Sequence, residues 1–224
     1  MPNFYLKEFR FVCFELLIVN YILMSVTKKS FLLIFLVLFI DQAVKIYIKL
    51  HFQLGERVEI FKWFQICFVE NNGMAFGMEI IGKLFLTIFR IFAVGGLAFF
   101  IHYLIKKQFR TGYILTVSLL LAGAAGNIFD SLFYGILFSD SYGQAATFLP
   151  DSGGYASFFY GKVVDMLYFP IIRNDVGETL FFSPVFNIAD SAITVAVSII
   201  LIFYRKDLNE SLESNKTKNV EPQD

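Results

Sequence analysis

Four long apolar segments constrain the fold of this chain more than any other feature of its sequence. They cover about residues 31–50, 84–105, 113–138 and 184–204, and each is close to the roughly 20 mostly apolar residues that a helix needs to cross a bilayer. The whole chain is 57% hydrophobic, which is above the roughly 45–50% typical of soluble domains. These segments predict a membrane all-α fold, a four-transmembrane-helix bundle.

The fourth segment opens with a helix-start signal. Ser183 is a suitable N-cap, and Pro184 is suited to the first helical position. A helix that begins at Pro184 would carry Asp190 roughly 9 Å along its axis, at about 1.5 Å per residue. This geometry predicts a carboxylate at shallow depth, just below the outer surface of the membrane.

Basic residues near the ends of the apolar segments predict the orientation of the bundle. The clusters are Lys28 and Lys29, then Lys106, Lys107 and Arg110, then Arg205 and Lys206. With four spans all three clusters fall on one side, and short basic loops stay in the cytoplasm. Both termini are therefore expected inside, and the loops over about residues 51–83 and 139–183 outside.

The outer loops are expected to be structured. Val58–Phe61 and Phe64–Val69 partly alternate and are rich in β-formers, which predicts a small extracytoplasmic β-rich subdomain. The stretch Ser139–Tyr160 is rich in Ser, Gly and aromatic residues and has no helical period. It predicts an ordered but irregular loop insertion, which could form a lid or cradle over a site.

The two ends of the chain lie outside the predicted four-span domain, which covers residues 31–205. Residues 1–30 form an N-terminal extension with an apolar run from Phe11 to Met24. This run could be a poor fifth span, an interfacial helix or the product of an upstream start codon, and Met24 favours the last. The polar residues 206–224 predict a disordered cytoplasmic tail.

Asp41 and Lys45 stand within the first apolar segment, where an ionisable group costs several kcal/mol, about 3 near the helix centre. They are four residues apart, so they share one helix face and can pair. An internal ion pair that stabilises the outer half of the bundle is favoured over a direct catalytic role.

Five further polar residues fall in or beside the apolar segments. They are Asn127, Asp130, Asp165, Asn187 and Asp190. A structural role in helix packing or hydrogen bonding explains each one taken alone. Together with the first segment, however, the polar groups of three spans gather in the extracytoplasmic half. Two carboxylates with flanking Asn donors at a shared depth indicate a reaction site at the outer leaflet.

Five motifs in sequence order match a known family. They are Asp41–Lys45, Asn71–Phe76, Gly123–Asp130, Gly161–Asp165 and Phe186–Ile193. On these motifs the chain, over about residues 31–205, resembles lipoprotein signal peptidase, also called signal peptidase II. Each motif is short, but five in the right order with four spans are highly specific.

The resemblance implies an aspartyl endopeptidase of the bacterial inner membrane, with Asp165 and Asp190 as the catalytic pair. It would cleave diacylglyceryl-modified prolipoproteins before the lipidated Cys. The expected substrate-binding or supporting residues are Asn71, Gly73, Asn127, Asp130, Asn187, Asp41 and Lys45. No metal or cofactor is implied. The expected partners are the prolipoprotein and membrane lipid, with no nucleic acid, and the expected state is a monomer.

The chain departs from the family pattern in its third and first helices. Ser131 stands where the family usually has Arg, and Val44 where it usually has Thr. The missing cation could be supplied by Lys162 or Arg173.

The stretch between Asp130 and Asp165 is also far longer than usual and holds other acids, Asp140 and Asp151. Asp175 follows it in the same outer loop. Asp165 is preferred because it alone has the Val-Val-Asp context.

Three other functions could use buried acids in a small membrane protein. A proton- or solute-translocating bundle would carry repeats or broken helices, and the sequence has no internal repeat. An intramembrane protease of the presenilin type would carry a Gly-x-Gly-Asp motif, which is absent from the sequence. A structural assembly factor would tolerate the loss of both aspartates.

Overall fold

The computed structural model describes residues 24–72, 80–173, 179–181 and 184–216. Most of the predicted N-terminal extension, residues 1–23, lies outside the described residues, as does Gly73. The helices are α1 (Val26–His51), α2 (Ile80–Lys106), α3 (Thr111–Phe129), α4 (Ile188–Phe203) and α5 (Arg205–Lys216). The strands are β1 (Arg57–Phe61), β2 (Phe64–Asn71), β3 (Val163–Tyr168), β4 (Ile172–Arg173), β5 (Thr179–Phe181) and β6 (Val185–Phe186).

Long apolar helices dominate the described part of the chain, which confirms a mostly helical, membrane-type fold. By length and composition three of them can cross a membrane, at Val26–His51, Gly82–Lys106 and Thr111–Leu137, with mean hydropathies of 2.2, 2.3 and 1.6. A fourth candidate is the pair α4 and α5, which is bent by 87° at its junction. The described chain therefore holds three candidate spans, or four if the bent pair counts as one.

The fourth helix begins later than the Ser183-Pro184 signal predicted. Asn187 is the N-cap, and its side-chain oxygen accepts a hydrogen bond from the backbone N–H of Asp190. Val185 and Phe186 instead pair with β3 as the edge strand β6, and a proline directly before an edge strand leaves the ladder intact. Asp190 therefore lies in the first turn of α4 rather than about 9 Å into it.

A four-stranded antiparallel sheet, in the order β1-β2-β3-β6, confirms the predicted β-rich subdomain. The register sets Val69 opposite Asp165 and Asn71 opposite Val163. A separate two-stranded sheet joins β4 and β5. The central pairing of β2 with β3 places the Asn71 side chain next to Asp165.

Helix α3 is the centre of the bundle, and α1, α2 and α4 all pack against it. Two glycines permit close approaches beside the polar groups of α3. A Cβ added at Gly123 would lie 2.4 Å from the carbonyl oxygen of Ala189, and one at Gly126 would lie 2.7 Å from Oδ2 of Asp41. The small residues therefore let α4 and α1 reach the polar groups of α3.

The end of α3 changes its winding. A π-helical turn spans Asp130–Tyr134 and is followed by a short helical turn, Gly135–Leu137. π-turns insert an extra residue into a helix and are frequent at functional sites. Here the turn begins at Asp130, one of the predicted site residues.

The insertion from Ser139 to Tyr160 has the predicted irregular form, with only isolated bridges at Gln53↔Ala145 and Phe138↔Phe148. Backbone hydrogen bonds tie it to the end of α1, where the Ala146 N–H donates to the Lys49 carbonyl. The insertion then returns to the end of α3 and leads into β3.

The predicted disordered tail, 206–224, is wrong for residues 206–216, which belong to helix α5. The helix is held by an ion pair of 3.2 Å between Arg110 and Asp207 and by a hydrogen bond between the hydroxyls of Tyr113 and Ser211. These contacts with α3 and the residue before it are tertiary, so a polar composition did not reveal them. Residues 217–224 lie outside the described part.

Candidate active site

Asp165 and Asp190 meet where strand β3 passes the start of helix α4. Asp165 is only 2% exposed, whereas Asp190 is half-buried. One side chain joins them: Asn187 donates its Nδ2–H to Oδ1 of Asp165 at 2.6 Å and accepts from the Asp190 N–H at 2.9 Å. The capping residue of α4 thus also orients the strand carboxylate.

Asn127, on α3, completes this link from the other side. Its Nδ2 donates to Oδ1 of Asp190 at 2.7 Å. Its Oδ1 accepts from Asn187 at 3.1 Å and from the Lys45 ammonium at 2.9 Å. The structure therefore brings together the predicted residues of α1, α3, α4 and β3 in one hydrogen-bonded network.

Lys45 is fully buried and forms ion pairs with Asp41 at 2.9 Å and with Asp130 at 2.8 Å. We call these three residues the Lys45 cluster. The pairing of Asp41 with Lys45, predicted from their spacing, is present. With Asn127 as its third acceptor, the ammonium directs all three of its N–H groups to oxygen. These three contacts offset the cost of burying the ammonium, because each buried ion has a desolvation penalty of several kcal/mol.

The acids of the Lys45 cluster also bind backbone next to the candidate dyad. Asp41 accepts the N–H of Ala189 at 2.9 Å, and Asp130 accepts the N–H of Val164 at 3.3 Å. Ala189 and Val164 are the residues immediately before the two candidate catalytic aspartates. The cluster therefore holds the chain on which each aspartate is carried.

Gln42 is a site residue that the sequence reasoning did not single out. Its amide donates to Asp130 at 2.8 Å and to Asp41 at 3.0 Å, and its oxygen accepts from the Tyr134 hydroxyl at 3.0 Å. Its position beside Asp41 in the first motif was the available signal. Gln42 bridges the two acids that Lys45 pairs with.

Asn71 reaches the remaining oxygen of Asp165, to which it donates at 3.2 Å. Burial raises the pKa of the Asp165 carboxyl to about 7, the charge of Asp190 adds to this rise, and the hydrogen bonds from Asn71 and Asn187 oppose it. Asp165 is therefore able to hold a proton near neutral pH.

A second buried charge cluster lies beside the site, at the junction of the sheet and the insertion. Glu70 receives the ammonium groups of both Lys49 and Lys162, the latter at 2.9 Å. Lys49 also donates to the Ser141 hydroxyl in the insertion at 3.0 Å. We call Lys49, Glu70 and Lys162 the Glu70 cluster; the sequence reasoning missed Lys49 and Glu70.

The missing family arginine is not replaced by Lys162, which is bound to Glu70. The side chain of Arg173 lies outside the described residues. A cation that the structure does bring to the site is Arg90 of α2, on which the charges of Asp190, Asp130 and Asp165 all act. Its signal in the sequence was an arginine inside an apolar span.

The competing acids of the long loop are exposed where they are described. Asp140 is exposed and accepts a hydrogen bond from the Tyr142 N–H, and Asp151 is exposed in a turn. Asp175 lies outside the described residues. Of the described acids in this loop, Asp165 is the one hydrogen-bonded into the network around Asp190.

Comparison with known proteins gives a consistent result. A family model described as signal peptidase (SPase) II matches residues 33–205. A lipoprotein signal peptidase of Porphyromonas gingivalis is 44% identical over 195 residues, which is 83% of this chain and 86% of that protein. One from Amoebophilus asiaticus is 33% identical over 197 residues, or 81% and 79% of the two chains.

Solved structures agree with the sequence comparisons. A bacterial membrane enzyme determined by the in meso method at 1.9 Å resolution matches with a TM-score of 0.57 and 27% identity, over 80% of this chain and 94% of that one. A second such structure, at 2.3 Å resolution, matches with a TM-score of 0.56 and 26% identity, over 88% and 94% of the two chains.

Proposed function

Because the chain belongs to the signal peptidase II family, we propose that it is an aspartic endopeptidase that removes the signal peptide of diacylglyceryl-modified prolipoproteins. The scissile bond is the one before the lipidated Cys. The observation that carries the aspartic mechanism is a pair of asparagines that holds both acids. Asn187 donates to the Asp165 carboxylate and accepts from the Asp190 backbone N–H, and Asn127 donates to the Asp190 carboxylate. Such an arrangement holds two acids at one place and in one orientation.

The two carboxylates act as a coupled pair that shares one proton, since two close carboxylates do not ionise together easily. Burial favours the protonated form of Asp165. Asp190 lies in the first turn of a helix, where the backbone dipoles favour a negative charge. We assign the initial proton to Asp165 and the initial charge to Asp190, as a statement about the pair.

In the first step Asp190 accepts a proton from a water molecule, whose oxygen attacks the scissile carbonyl carbon. Asp165 donates a hydrogen bond, and then its proton, to the carbonyl oxygen. Collapse of the tetrahedral intermediate breaks the carbon–nitrogen bond. The proton held by Asp190 passes to the leaving amine, and the proton on the oxygen returns to Asp165, which restores the pair.

The remaining predicted residues have positioning roles in this proposal. Asn127 and Asn187 orient the two carboxylates, and the Lys45 cluster holds the backbone beside them. Asn71 orients Asp165 and, with Gly73, lies on the loop segment predicted to hold the substrate main chain. The exposed side of Asp190 adjoins a cavity of about 400 Å³ that also includes Phe186 and Thr194, which offers space for substrate.

The proposed topology has four spans in the bacterial inner membrane, with both termini in the cytoplasm and the site near the periplasmic face. The ends of the helices support it. The site joins the second half of α1, the end of α3 and the start of α4 to the sheet, whereas the basic ends of α2, α3 and α4 lie at the opposite end of the bundle. Membrane lipid is then a partner along the sides of a monomer.

Cleavage of a purified diacylglyceryl-modified prolipoprotein tests the proposal directly. Asp165→Asn and Asp190→Asn should each lower the rate by about a hundredfold to ten-thousandfold, because each removes an acid–base group. Asp140→Asn, at an exposed acid of the insertion, is the matched control and should cleave normally. Wild-type protein that leaves the lipidated substrate intact would contradict the peptidase function. A folded Asp165→Asn variant with full activity would contradict the pair.

A further inference from the structure

Arg90 lies on the inward face of a helix that is otherwise exposed along its length. The face turned to α3 carries residues at alternating spacings of four and three, all buried or half-buried: Lys83, Thr87, Arg90, Val94, Leu97, Ile101 and Leu104. The other face carries Phe85, Phe89, Phe92 and Phe99, each at least 60% exposed. An arginine in an apolar span that points into the bundle indicates a functional site.

The electrostatic surroundings of Arg90 are those of the candidate site. Among the carboxylates that act on its guanidinium, Asp190 acts most strongly, followed by Asp130 and Asp165. Arg90 nevertheless takes part in none of the ion pairs formed by the described residues. Its N–H groups are therefore not spent on those acids.

Lys45, the buried cation of the site, has no comparable donor capacity among the described contacts. Lys45 uses its three N–H groups on Asp41, Asp130 and Asn127. Ser131, which stands at the position of the family arginine, donates its hydroxyl to the carbonyl of Asn127 within the same helix. A guanidinium, by contrast, has five N–H donors in a planar fork.

Over the described residues α2 packs along α3, which also carries α4, but α2 and α4 make no packing contact of similar extent. Because α2 and α4 pack little on each other, we place the incoming substrate segment between them. A segment that reaches Asp190 by this route passes the guanidinium.

We propose that Arg90 is a substrate-binding residue, whose guanidinium donates hydrogen bonds to carbonyl oxygens of the substrate beside the scissile bond. This inference rests on the proposed peptidase function. Carbonyl oxygens suit the site because they are acceptors without a full negative charge, which the neighbouring carboxylates would repel. They occur both in the peptide main chain and in the acyl esters of the diacylglyceryl group.

Substrate affinity, measured apart from cleavage, tests the role of Arg90. In an Asp165→Asn background, binding of a fluorescent diacylglyceryl-modified prolipoprotein peptide is compared with and without Arg90→Gln, in detergent micelles. The added substitution should weaken binding about tenfold or more, as expected for losing hydrogen bonds from a charged donor. Arg110→Gln, at the opposite end of the bundle, is the matched control and should leave binding unchanged.

A peptide with ether-linked instead of ester-linked chains separates the two sources of carbonyl oxygen. If the tenfold effect persists with the ether, Arg90 binds the peptide main chain; if it disappears, Arg90 binds the acyl esters. Unchanged affinity for both peptides in the Arg90→Gln protein would overturn the proposal.

Kinetics of the otherwise wild-type protein give an independent result. Arg90→Gln should raise KM by a similar factor with a smaller effect on kcat. A fall in kcat alone, with a displaced pH profile, would instead make Arg90 a positioning residue that acts through Asp190. The other charged groups around Asp190 are Asp130, Asp165, Asp41 and Lys45. That outcome would overturn substrate binding.

Two further measurements keep the outcome clear. If Arg90→Gln does not yield a folded monodisperse protein, Arg90→Lys decides: a lysine lacks the planar fork and should still bind several-fold more weakly, so unchanged affinity would overturn the proposal. Cleavage by the Arg110→Gln protein tests the peptidase function separately. If neither this variant nor the wild-type protein cleaves the substrate, the peptidase function is rejected, whatever the binding measurements on Arg90 show.

Discussion

The Lys45 cluster and the Glu70 cluster are both buried ion clusters, but they have different structural roles. In the first, one lysine is shared by two acids, and in the second one acid is shared by two lysines. Lys45 and Lys49 are both fully buried. The first cluster joins helices and binds backbone amides beside each candidate catalytic aspartate. The second joins a strand to the loop insertion. A buried ion cluster therefore does not by itself mark a catalytic site; the groups bound by its remaining oxygens do.

The largest expected effect is that of Lys45→Met. It leaves Asp41 and Asp130 buried without their shared cation, and breaking a buried pair in this way costs about 3–5 kcal/mol. Thermal unfolding in detergent should show a strongly lowered Tm, with cleavage lost as well. Lys106→Met, at the basic end of α2, is the control. A Tm within a degree or two of wild type would show that the two acids are held without Lys45.

Glu70→Gln should have a smaller effect on catalysis. It leaves two lysines facing a neutral amide, so the attachment of the insertion to the sheet is weakened while the contacts around Asp190 remain. We expect faster proteolytic cutting between residues 139 and 160 and only a severalfold loss of cleavage activity. Asp140→Asn serves as the control for a lost charge in that region.

The comparison would fail if Glu70→Gln abolished cleavage while the insertion stayed resistant to protease. In that case the Glu70 cluster would act on the reaction site through Asn71 and Asp165. The two clusters would then not differ in their role in catalysis.

The third expected effect is a pH dependence of stability at Asp165. The pKa of this carboxyl is about 7 in the folded protein and about 3.9 in an unfolded chain. Because the folded value is the higher one, its contribution to stability is complete below about pH 4 and is lost as the pH rises through about 7. Between pH 5 and 8 wild type should therefore lose more stability than Asp165→Asn.

Unfolding midpoints of both proteins across this pH range measure the effect, and the difference in slope is the quantity of interest. The absolute stabilities also differ for another reason, since Asn187 and Asn71 both donate to Asp165 and an asparagine offers one oxygen fewer. Equal slopes would show that the carboxyl is not protonated in the folded state near neutral pH.

Much of the candidate site could be predicted from the sequence because its parts are local motifs. The spacing of Asp41 and Lys45 on one helix face determines that they can pair. This relation depends on the helix repeat alone.

Other features depended on contacts between distant segments. The start of α4 was placed too early, because Val185 and Phe186 pair with β3 and no local signal reports that pairing. Helix α5 was missed because its supports, Arg110 and Tyr113, lie almost a hundred residues away. Arg90 was passed over because an isolated arginine in an apolar span does not show which carboxylates it will face.

The sequence by itself determined that this is a membrane protein of the signal peptidase II family, since apolar length and the order of short motifs are properties of the chain. It also determined which acids could form the site. Only the tertiary structure decided how those acids are held, namely that Asn187 joins the pair, that the Lys45 cluster binds the residue before each aspartate, and that Arg90 faces them. The reason is physical: a buried polar group requires a partner, and the partner is chosen by packing among α1, α3, α4 and β3, which no local pattern encodes.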